Sequence, residues 1–371
     1  MTSAEERAPR VLVSGTVLGQ PMGGVVRHNA ELLPRLAALL EARGGGLAVL
    51  EGRVPITFAL PPSIARITSD VPWLPTVMRA AHEGRAIARA LGEAARAGRR
   101  FDLVHFGHHP LPLRVPAPFT VTVHDLRSLD LDRAPFVRRL LGPKVLGRAF
   151  HGARRLFTVS EATRARLTHH FAIAPERIDL VPNAVDLDAF LPRAPAAARF
   201  LLHVGHVEPR KGLEQLLHAL ALDPSLPDVV LAGLAKGDEG QRLADRARAL
   251  GVAHRLRQLG PVDEPTLLRL YAAAAAVVLP ARLEGFGIGA LEALAAGAPL
   301  AASDIPAHVE VTRGAAELFA LDDAAGCVAA VQRALAQGAA GASAGRAAAA
   351  RYSWDASAHA WYVGLCAAAR P

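Results

Sequence analysis

Two glutamates with seven residues between them, Glu284 and Glu292, flank a glycine-rich turn in the second half of the chain. Glycines let backbone N–H groups approach a ligand closely, and the start of the predicted helix that carries Glu292 favours an anion. Carboxylates on both sides of such a turn are suited to hydrogen bonding the hydroxyls of a polyhydroxyl ligand. The alternative is a solvated Glu284 and a Glu292 that only complements the helix dipole.

The adjacent cations Arg210 and Lys211 form a second charged feature. We predict a helix over Gly212–Leu222, which places the pair at the helix start, where each cation opposes the macrodipole by roughly 0.3–1 kcal/mol. An anion bound there reverses that cost, so the position predicts an anionic ligand. The alternative is a pair of solvated basic side chains.

In the first half, Gly23 and Gly24 precede a helix predicted from Val25 to Ala42, so their amides are placed to face a phosphate or a sugar. The spacing of Gly15 and Gly19 does not match the dinucleotide-binding fingerprint, which disfavours NAD.

Histidines gather at the ends of predicted strands in this half. His124 ends one strand and is expected to point towards a ligand, although a lone strand-end histidine is more often structural. His105, His108 and His109 have no carboxylate or cysteine at ligand spacing, so we expect contact with substrate rather than zinc.

Both halves of the chain alternate short apolar runs with helical patterns, which predicts two doubly wound α/β domains. The Pro/Ala-rich stretch 191–199 separates them, and ligands bind at the carboxyl ends of strands in such sheets. The predicted strands are 10–14, 47–50, 103–106, 119–123, 156–159 and 178–181 in the first half, and 200–204, 229–232, 257–259, 276–279 and 300–302 in the second.

Composition limits the class of protein. The 371 residues carry a net charge of +8, and 51% are hydrophobic but only 5% aromatic, which fits a globular chain without a stacking platform for nucleic acid. The two cysteines lack metal-ligand spacing, and the polar N-terminus has no apolar core of a leader, so we expect a cytoplasmic protein. The segment 135–157 is basic with apolar residues between, and is either a peripheral contact with the inner membrane face or a solvated helix face.

Several motifs together resemble those of retaining GT-B-fold nucleotide-sugar glycosyltransferases of family 4, also called group 1. The resemblance covers nearly the whole chain, in the expected order. It rests on the sequences TVHDL at 122–126, SEAT at 160–163, VPNAVD at 181–186, HVGHVEPRKGL at 203–213, EGFGIGALEALAAGAP at 284–299 and SDIP at 303–306. It implies a GT-B fold, in which two Rossmann-like doubly wound domains, 1–192 and 198–352, face each other across a cleft, with a final helix over 353–371 that crosses back.

The resemblance also implies the roles of the site residues. Glu284 bonds donor sugar hydroxyls, Glu292 bonds the nucleotide ribose, and Arg210 and Lys211 offset the charge of the leaving diphosphate. The implied catalytic residues are Glu284, His124, Arg210 and Lys211, and the implied donor-binding residues are Gly23, Gly24, Gly205, Arg210, Lys211, Phe286, Gly287, Ile288 and Glu292.

The expected donor is a GDP-, UDP- or ADP-linked sugar, without a cofactor or metal, and the acceptor is unknown. The three-residue Asp-x-Asp patterns at 130–132 and 186–188 are declined as metal motifs. The segment 105–112 resembles that of mannose-transferring members, which favours GDP-mannose, whereas Ala184 and the pair Gly289-Ala290 depart from the family pattern near a loop and near the sugar. The alternatives are a phosphorylase or epimerase on the same fold, and a silent scaffold that binds a nucleotide sugar.

Overall fold

A computed structural model describes residues 7–20, 23–72, 76–129, 136–191 and 200–370 of the chain. It divides the chain into two compact units. The first unit runs to Asn183 and resumes at Trp354, and the second runs from Ala184 to Ser353. The division at Asn183 therefore lies before the stretch 191–199 that the sequence predicts as the linker, and most of that stretch, 192–199, lies outside the described residues.

The first unit is built on a parallel sheet with the strand order β3-β2-β1-β4-β5-β6-β7. Helix α12 packs against α1 and the neighbouring strands of this unit. The elements are β1 Arg10–Gly15, α1 Gly24–Glu41, β2 Gly46–Glu51, β3 Ala65–Thr68, α2 Thr76–Arg96, β4 Leu103–Phe106, β5 Phe119–Val123, α3 Phe136–Gly152, β6 Arg155–Thr158, α4 Glu161–Phe171, β7 Ile178–Leu180 and, near the end of the chain, α12 Trp354–Ala369.

The second unit contains a parallel sheet with the order β10-β9-β8-β11-β12-β13. Its elements are β8 Phe200–Val204, α5 Leu213–Leu222, β9 Asp228–Ala232, α6 Glu239–Ala249, β10 Leu256–Gly260, α7 Glu264–Ala273, β11 Ala276–Leu279, α8 Ile288–Ala295, β12 Leu300–Ser303, α9 Pro306–Thr312, β13 Glu317–Phe319, α10 Ala324–Ala336 and α11 Gly338–Ala349.

The predicted fold class, two Rossmann-like α/β domains, is confirmed, because each unit is a parallel sheet alternating with helices. Strands predicted from apolar runs occur within a residue or two of their expected bounds, since strands buried on both faces read as continuous apolar runs. Two edge strands, β3 and β13, are missing from the sequence prediction. Strand β3 (ARIT) is largely exposed, and β13 is only three residues long.

In both sheets the strand order reverses next to a central strand. In the first unit, β1 pairs with β2 on one side and β4 on the other. In the second unit, β8 pairs with β9 and with β11. Loops at the carboxyl ends of such a strand pair diverge, and ligands of open α/β sheets bind at this point. The segments after β8 and after β11 therefore lie where a ligand of the second unit is expected to bind.

Candidate functional site

The two charged motifs meet at the reversal of strand order in the second unit. The segment with Arg210 and Lys211 follows β8, and the segment with Glu284 follows β11. The backbone N–H of Arg282 donates to the carbonyl of Arg210 at 2.7 Å, which ties the two segments together. Features far apart in sequence thus form one side-chain cluster.

Gly212 allows this close approach. Its φ of 62° is left-handed, and an added Cβ would lie 2.0 Å from the carbonyl oxygen of Pro280. The glycine separates a 3-10 turn at Pro209–Lys211 from helix α5. The helix predicted to begin at Gly212 therefore begins one residue later, and the two cations lie in the preceding turn, outside the helix.

Glu284 is the common partner of both cations. Its Oε2 accepts a hydrogen bond from Arg210 Nη1 at 3.1 Å, and its Oε1 accepts one from Lys211 Nζ. The side chains are 14% exposed for Glu284, 23% for Arg210 and 13% for Lys211, so water screens these pairs only partly. Lys211 thus has an internal carboxylate beside it, and an anionic ligand at this position stays a prediction.

A second carboxylate, missed in the sequence analysis, lies on the other side of Arg210. Glu208 is 2.7 Å from Arg210 Nη2 and 3.1 Å from Lys236 Nζ. Charges therefore alternate along a chain of five side chains, and we call this chain the charge ladder: Lys236, Glu208, Arg210, Glu284 and Lys211. Its formal charge is +1, because three cations meet two carboxylates. The sequence places Glu208 two residues before Arg210, so this pairing could have been noticed. Lys236 lies far along the chain, and only the fold brings it beside Glu208.

The charge ladder holds its carboxylates ionised. Burial by itself raises the pKa of Glu284, but the charges of Lys211 and Arg210 outweigh burial and bring the pKa to about 2. Burial likewise raises the pKa of Glu208, and Arg210 and Lys236 bring it below its usual range. At neutral pH both carboxylates are ionised, so they accept hydrogen bonds and donate none.

Two buried histidines lie next to these charges. Burial and the charge of Lys211 lower the pKa of His203 to about 4, and its Nδ1 lies 3.0 Å from the carbonyl oxygen of Val278. Burial also lowers the pKa of His308, whose Nδ1 lies 3.0 Å from the carbonyl oxygen of Ser303. Since each Nδ1 donates to a carbonyl, each neutral ring presents an acceptor at Nε2. His203 Nε2 has no partner among the described residues.

The glycine turn after β11 leads directly into helix α8. Gly287 is the N-cap residue with a left-handed φ of 93°, and an added Cβ would lie 3.2 Å from His308 Cδ2. The described residues provide no hydrogen-bond acceptor for the amides of Phe286, Gly287 and Ile288. The structure therefore presents three backbone donors at the start of a helix, an arrangement that suits an anion.

Glu292 lies inside helix α8 and is 5% exposed. The hydroxyl of Tyr271 donates to Glu292 Oε2 at 2.8 Å. Tyr271 lies on α7 and was missed in the sequence analysis, where its only signal was a single aromatic residue before a run of alanines. Glu292 and Glu284 therefore have different surroundings, one bound to a phenol and the other to two cations.

In the first unit, the predicted glycines and histidine follow different strands. Gly23, with φ 50°, is the N-cap residue of α1, and Gly24 is its first residue. His124 follows β5, and its ring meets that of His28 edge-on with 4.8 Å between centroids. Burial, and then the nearby His28, hold the pKa of His124 well below its usual value, and its Nε2 finds no partner among the described residues. His124 is thus a neutral ring.

The interpretation of His105 as a substrate-contacting residue is wrong, whereas that of His108 stays a prediction. Both nitrogens of His105 lie within 3.1 Å of threonine hydroxyls, those of Thr120 and Thr122, and the side chain is 1% exposed. His108 is 6% exposed, and its Nε2 lies 3.0 Å from a carboxylate oxygen of Glu83. His105 is thus a structural member of the core, whereas Nδ1 of His108 has no partner among the described residues.

Glu83 is the centre of a buried polar network that the sequence did not reveal. Its carboxylate accepts from Ser14 Oγ, from Thr16 Oγ1 at 3.0 Å and from Arg79 Nη1 at 3.0 Å. Although burial raises the pKa of Glu83, His108 and Arg79 bring it to about 2. The network joins helix α2 to the segments after β1 and β4, which are neighbours in the sheet.

The predictions about metal and membrane remain untested. Within the described ranges, no group of three or more histidine, cysteine, aspartate or glutamate side chains is placed to hold a metal ion. Residues 130–132 lie outside the described residues, whereas Asp186 caps a short turn by accepting from the amide of Asp188.

For the segment 135–157, residue 135 and the side chains of 136–141 lie outside the described residues. In the rest of the segment, Lys144 and Arg148 are exposed, while Leu146 and Phe150 are buried. Among the described helices, none is long and apolar enough to cross a bilayer.

Comparison with known proteins places both units in one group. A family described as Glycosyltransferase Family 4 matches residues 22–189, and one described as Glycosyl transferases group 1 matches residues 190–351. The D-inositol 3-phosphate glycosyltransferase of Frankia alni is 31% identical over 239 residues, which are 55% of this chain and 58% of that protein. The MMP alpha-(1->4)-mannosyltransferase of Mycolicibacterium hassiacum is 29% identical over 278 residues, 70% of this chain and 68% of that protein.

Solved structures show the same fold. Sucrose-phosphate synthase from Thermosynechococcus elongatus superposes with a TM-score of 0.75 over 95% of this chain and 96% of that chain. The two sequences are 21% identical, so the likeness concerns the fold.

Proposed function

Because this chain belongs to the GT-B-fold group 1 glycosyltransferases, we propose that it transfers a sugar from a nucleoside diphosphate to an acceptor hydroxyl, with retention of the anomeric configuration. The observation that carries the proposal is the cluster at the reversal of strand order in the second unit. There, two cations, the partly exposed Glu284, the buried Glu292 and three backbone amides without an acceptor among the described residues follow β8 and β11. These groups suit a nucleoside diphosphate sugar, because it presents phosphate oxygens beside sugar and ribose hydroxyls.

We assign the groups by their chemistry. Arg210 and Lys211 bind the diphosphate and offset the charge that develops as it leaves, which is a large contribution to catalysis at a preorganised site. The amides of residues 286–288 bind the adjoining phosphate or sugar oxygens. Glu292 accepts hydrogen bonds from the ribose, and Glu284 accepts them from the donor sugar.

In the first unit, we assign contacts with the donor to His124 and to the amides of Gly23 and Gly24. A neutral His124 suits an uncharged sugar, because its unpartnered Nε2 is available to exchange a hydrogen bond with a hydroxyl. This contact places no additional charge beside the anomeric carbon.

The proposed reaction breaks the bond between the anomeric carbon and the phosphate oxygen, and forms one between that carbon and the acceptor oxygen. Retention follows if attack occurs on the face from which the diphosphate leaves. The acceptor proton then passes to the departing phosphate oxygen, so no covalent intermediate on the protein is needed. Since Arg210 and Lys211 neutralise the leaving group, we propose that a metal ion is not required, which activity in EDTA tests.

We favour a mannosyl donor linked to GDP. This choice is supported by the segment 105–112 and by the name of the Mycolicibacterium hassiacum relative. The acceptor remains open, within polysaccharide, glycolipid or other glycoconjugate synthesis.

A donor panel tests the proposal. GDP-, UDP- and ADP-sugars are added to the intact protein, and thermal stability and slow donor hydrolysis are measured. We expect one donor to raise the melting temperature and to be hydrolysed, Lys211→Ala to abolish both effects, and Glu284→Ala to abolish hydrolysis. Lys144→Ala, which removes an exposed lysine of the first unit, is the control and should behave as wild type.

The outcomes separate the alternatives. Binding without turnover, even with acceptors present, indicates a silent scaffold. A product that requires inorganic phosphate indicates a phosphorylase, and conversion of the donor into its epimer indicates an epimerase. If no nucleotide sugar changes the melting temperature, or if both site variants behave as wild type, the proposed function is wrong.

A further inference from the structure

The carboxylate of Glu284 occupies the position between the two phosphate-binding cations. One of its oxygens lies 3.1 Å from Arg210 Nη1, and the other accepts from Lys211 Nζ. A carboxylate and a phosphate present similar pairs of anionic oxygens, and both accept charge-assisted hydrogen bonds from arginine and lysine. Glu284 therefore makes the contacts that the proposed function assigns to the diphosphate.

The rest of the charge ladder strengthens this arrangement. Arg210 Nη2 lies 2.7 Å from Glu208, and Arg210 Nη1 also donates to the carbonyl of Leu283 at 3.1 Å. These bonds fix the guanidinium and engage both of its terminal nitrogens. A diphosphate that approaches Arg210 thus meets a cation that two carboxylates already neutralise.

Burial makes this competition substantial. An exposed ion pair contributes little, because water replaces either partner readily. Glu284 and Lys211 are only 14% and 13% exposed, so Lys211 would be left poorly solvated and without its carboxylate if Glu284 moved away. A bound anion has to replace the carboxylate rather than add to an unoccupied pair of cations.

We propose that Glu284 acts as an internal competitor for the donor diphosphate, and that donor binding exchanges its carboxylate for phosphate oxygens and releases Glu284 to the sugar. This inference rests on the proposed function, since it concerns the regulation of the same site. It gives Glu284 two sequential partners: the cations before binding, and the sugar hydroxyls after it.

The exchange makes the sugar contact conditional on the diphosphate. A free sugar cannot draw Glu284 away from Arg210 and Lys211, because a neutral hydroxyl forms a weaker bond with a carboxylate than two cations do. The diphosphate supplies the replacement charge. Sugar recognition by Glu284 therefore follows anion binding, which favours the complete donor over its separate parts.

Calorimetric titration with inorganic pyrophosphate tests the competition without knowledge of the nucleotide. We expect Glu284→Gln to bind pyrophosphate about tenfold more tightly than wild type, equivalent to about 1.4 kcal/mol. Glu317→Gln is the matched control, because Glu317 is a carboxylate of the same unit paired with the half-exposed Arg333. It should bind pyrophosphate as wild type does. Equal or weaker binding by Glu284→Gln overturns the inference.

A measurement on the unaltered protein covers the case in which Glu284→Gln does not fold. In a crystal structure of the wild type with pyrophosphate, Glu284 should lie beyond hydrogen-bond distance of Lys211 Nζ, and the anion should replace it. A complex in which Glu284 still bridges the cations contradicts the exchange.

The two proposals fail in different ways. If Lys211→Ala binds pyrophosphate as tightly as wild type, the anion does not use these cations and the proposed function is wrong. If binding depends on Lys211 but is unchanged in Glu284→Gln, the proposed function stands and only the competition is overturned.

Discussion

The hydroxyl of Tyr271 donates a hydrogen bond of 2.8 Å to Glu292 Oε2. Glu292 is buried, with only 5% of its surface exposed. Tyr271 itself is fully buried, and its ring meets that of Phe190 edge-on at 6.1 Å. The packing of the ring fixes the hydroxyl, and the hydroxyl in turn orients the carboxylate. Tyr271 is thus a positioning residue for Glu292.

Removal of this hydroxyl should weaken donor binding. In Tyr271→Phe the ring packing is kept but one hydrogen bond to a charged group is lost, so we expect KM for the donor to rise by roughly fivefold, equivalent to about 1 kcal/mol. The turnover number should change less. Steady-state kinetics measure both constants, with Tyr362→Phe in the first unit as the control. An unchanged KM in Tyr271→Phe contradicts the role assigned to Glu292.

Substitution of Gly212 should affect both stability and anion binding. An alanine at this position is destabilised by about 1–2 kcal/mol because the backbone is left-handed. Its Cβ also lies against the carbonyl of Pro280. Gly237→Ala is the matched control, because its φ of 59° is nearly the same as the 62° of Gly212, yet no atom lies within 4 Å of the added Cβ.

We expect both alanine variants to lose stability in urea unfolding, and Gly212→Ala to lose more. Only Gly212→Ala should bind pyrophosphate more weakly, because only Gly212 holds the segments of Arg210 and Glu284 together. If the two variants lose equal stability and both bind pyrophosphate normally, close contact with Pro280 is not what requires a glycine.

Loss of the Glu83 charge should destabilise the first unit. Glu83→Gln leaves the buried Arg79 without its carboxylate, and the removal of one partner of a buried ion pair costs roughly 3–5 kcal/mol. Glu93→Gln changes an exposed residue of the same helix and should cost less than about 0.5 kcal/mol. Urea unfolding followed by circular dichroism measures the difference. Equal stability of the two variants rules out this role for Glu83.

Stability should fall as the pH decreases from 6.5 towards 5. Burial lowers the pKa of His28 to about 4 and of His105 to about 3, so between these values and 6.5 the unfolded chain binds more protons than the folded one. Stability is therefore complete above the unfolded pKa and is lost as pH falls towards the folded pKa. The carboxylates Glu83 and Glu284, with a pKa of about 2, contribute to acid sensitivity only below about pH 4.5.

A histidine variant checks the origin of this slope. His28→Gln removes one titrating group, and with it up to one proton of the difference in bound protons between the unfolded and folded chains. The dependence of the unfolding free energy on pH should therefore decrease by up to about 1.4 kcal/mol per pH unit. Urea unfolding at several pH values measures it. His254→Gln, at an exposed position, should leave the slope unchanged. An identical slope in all three proteins shows that His28 is not the source.

The sequence by itself determined the two Rossmann-like units. Strands that are buried on both faces have continuous runs of apolar residues, and helices have apolar residues at a helical period. Local devices depend only on neighbouring residues, as at Ser160, which caps α4 by accepting from the amide of Thr163. The motif residues Glu284, Glu292, Arg210 and Lys211 were identifiable by type and order. Their roles towards a ligand stay predictions.

Only the tertiary structure decided which charges meet. Arg210 and Glu284 are 74 residues apart, and the sequence does not state that the loops after β8 and β11 lie side by side or that Gly212 lets them touch. For the same reason the sequence could not separate His105, whose nitrogens are taken by two threonines, from His124, whose Nε2 has no partner among the described residues. Burial and pairing are long-range properties, since they depend on which side chains the sheet brings together from distant parts of the chain.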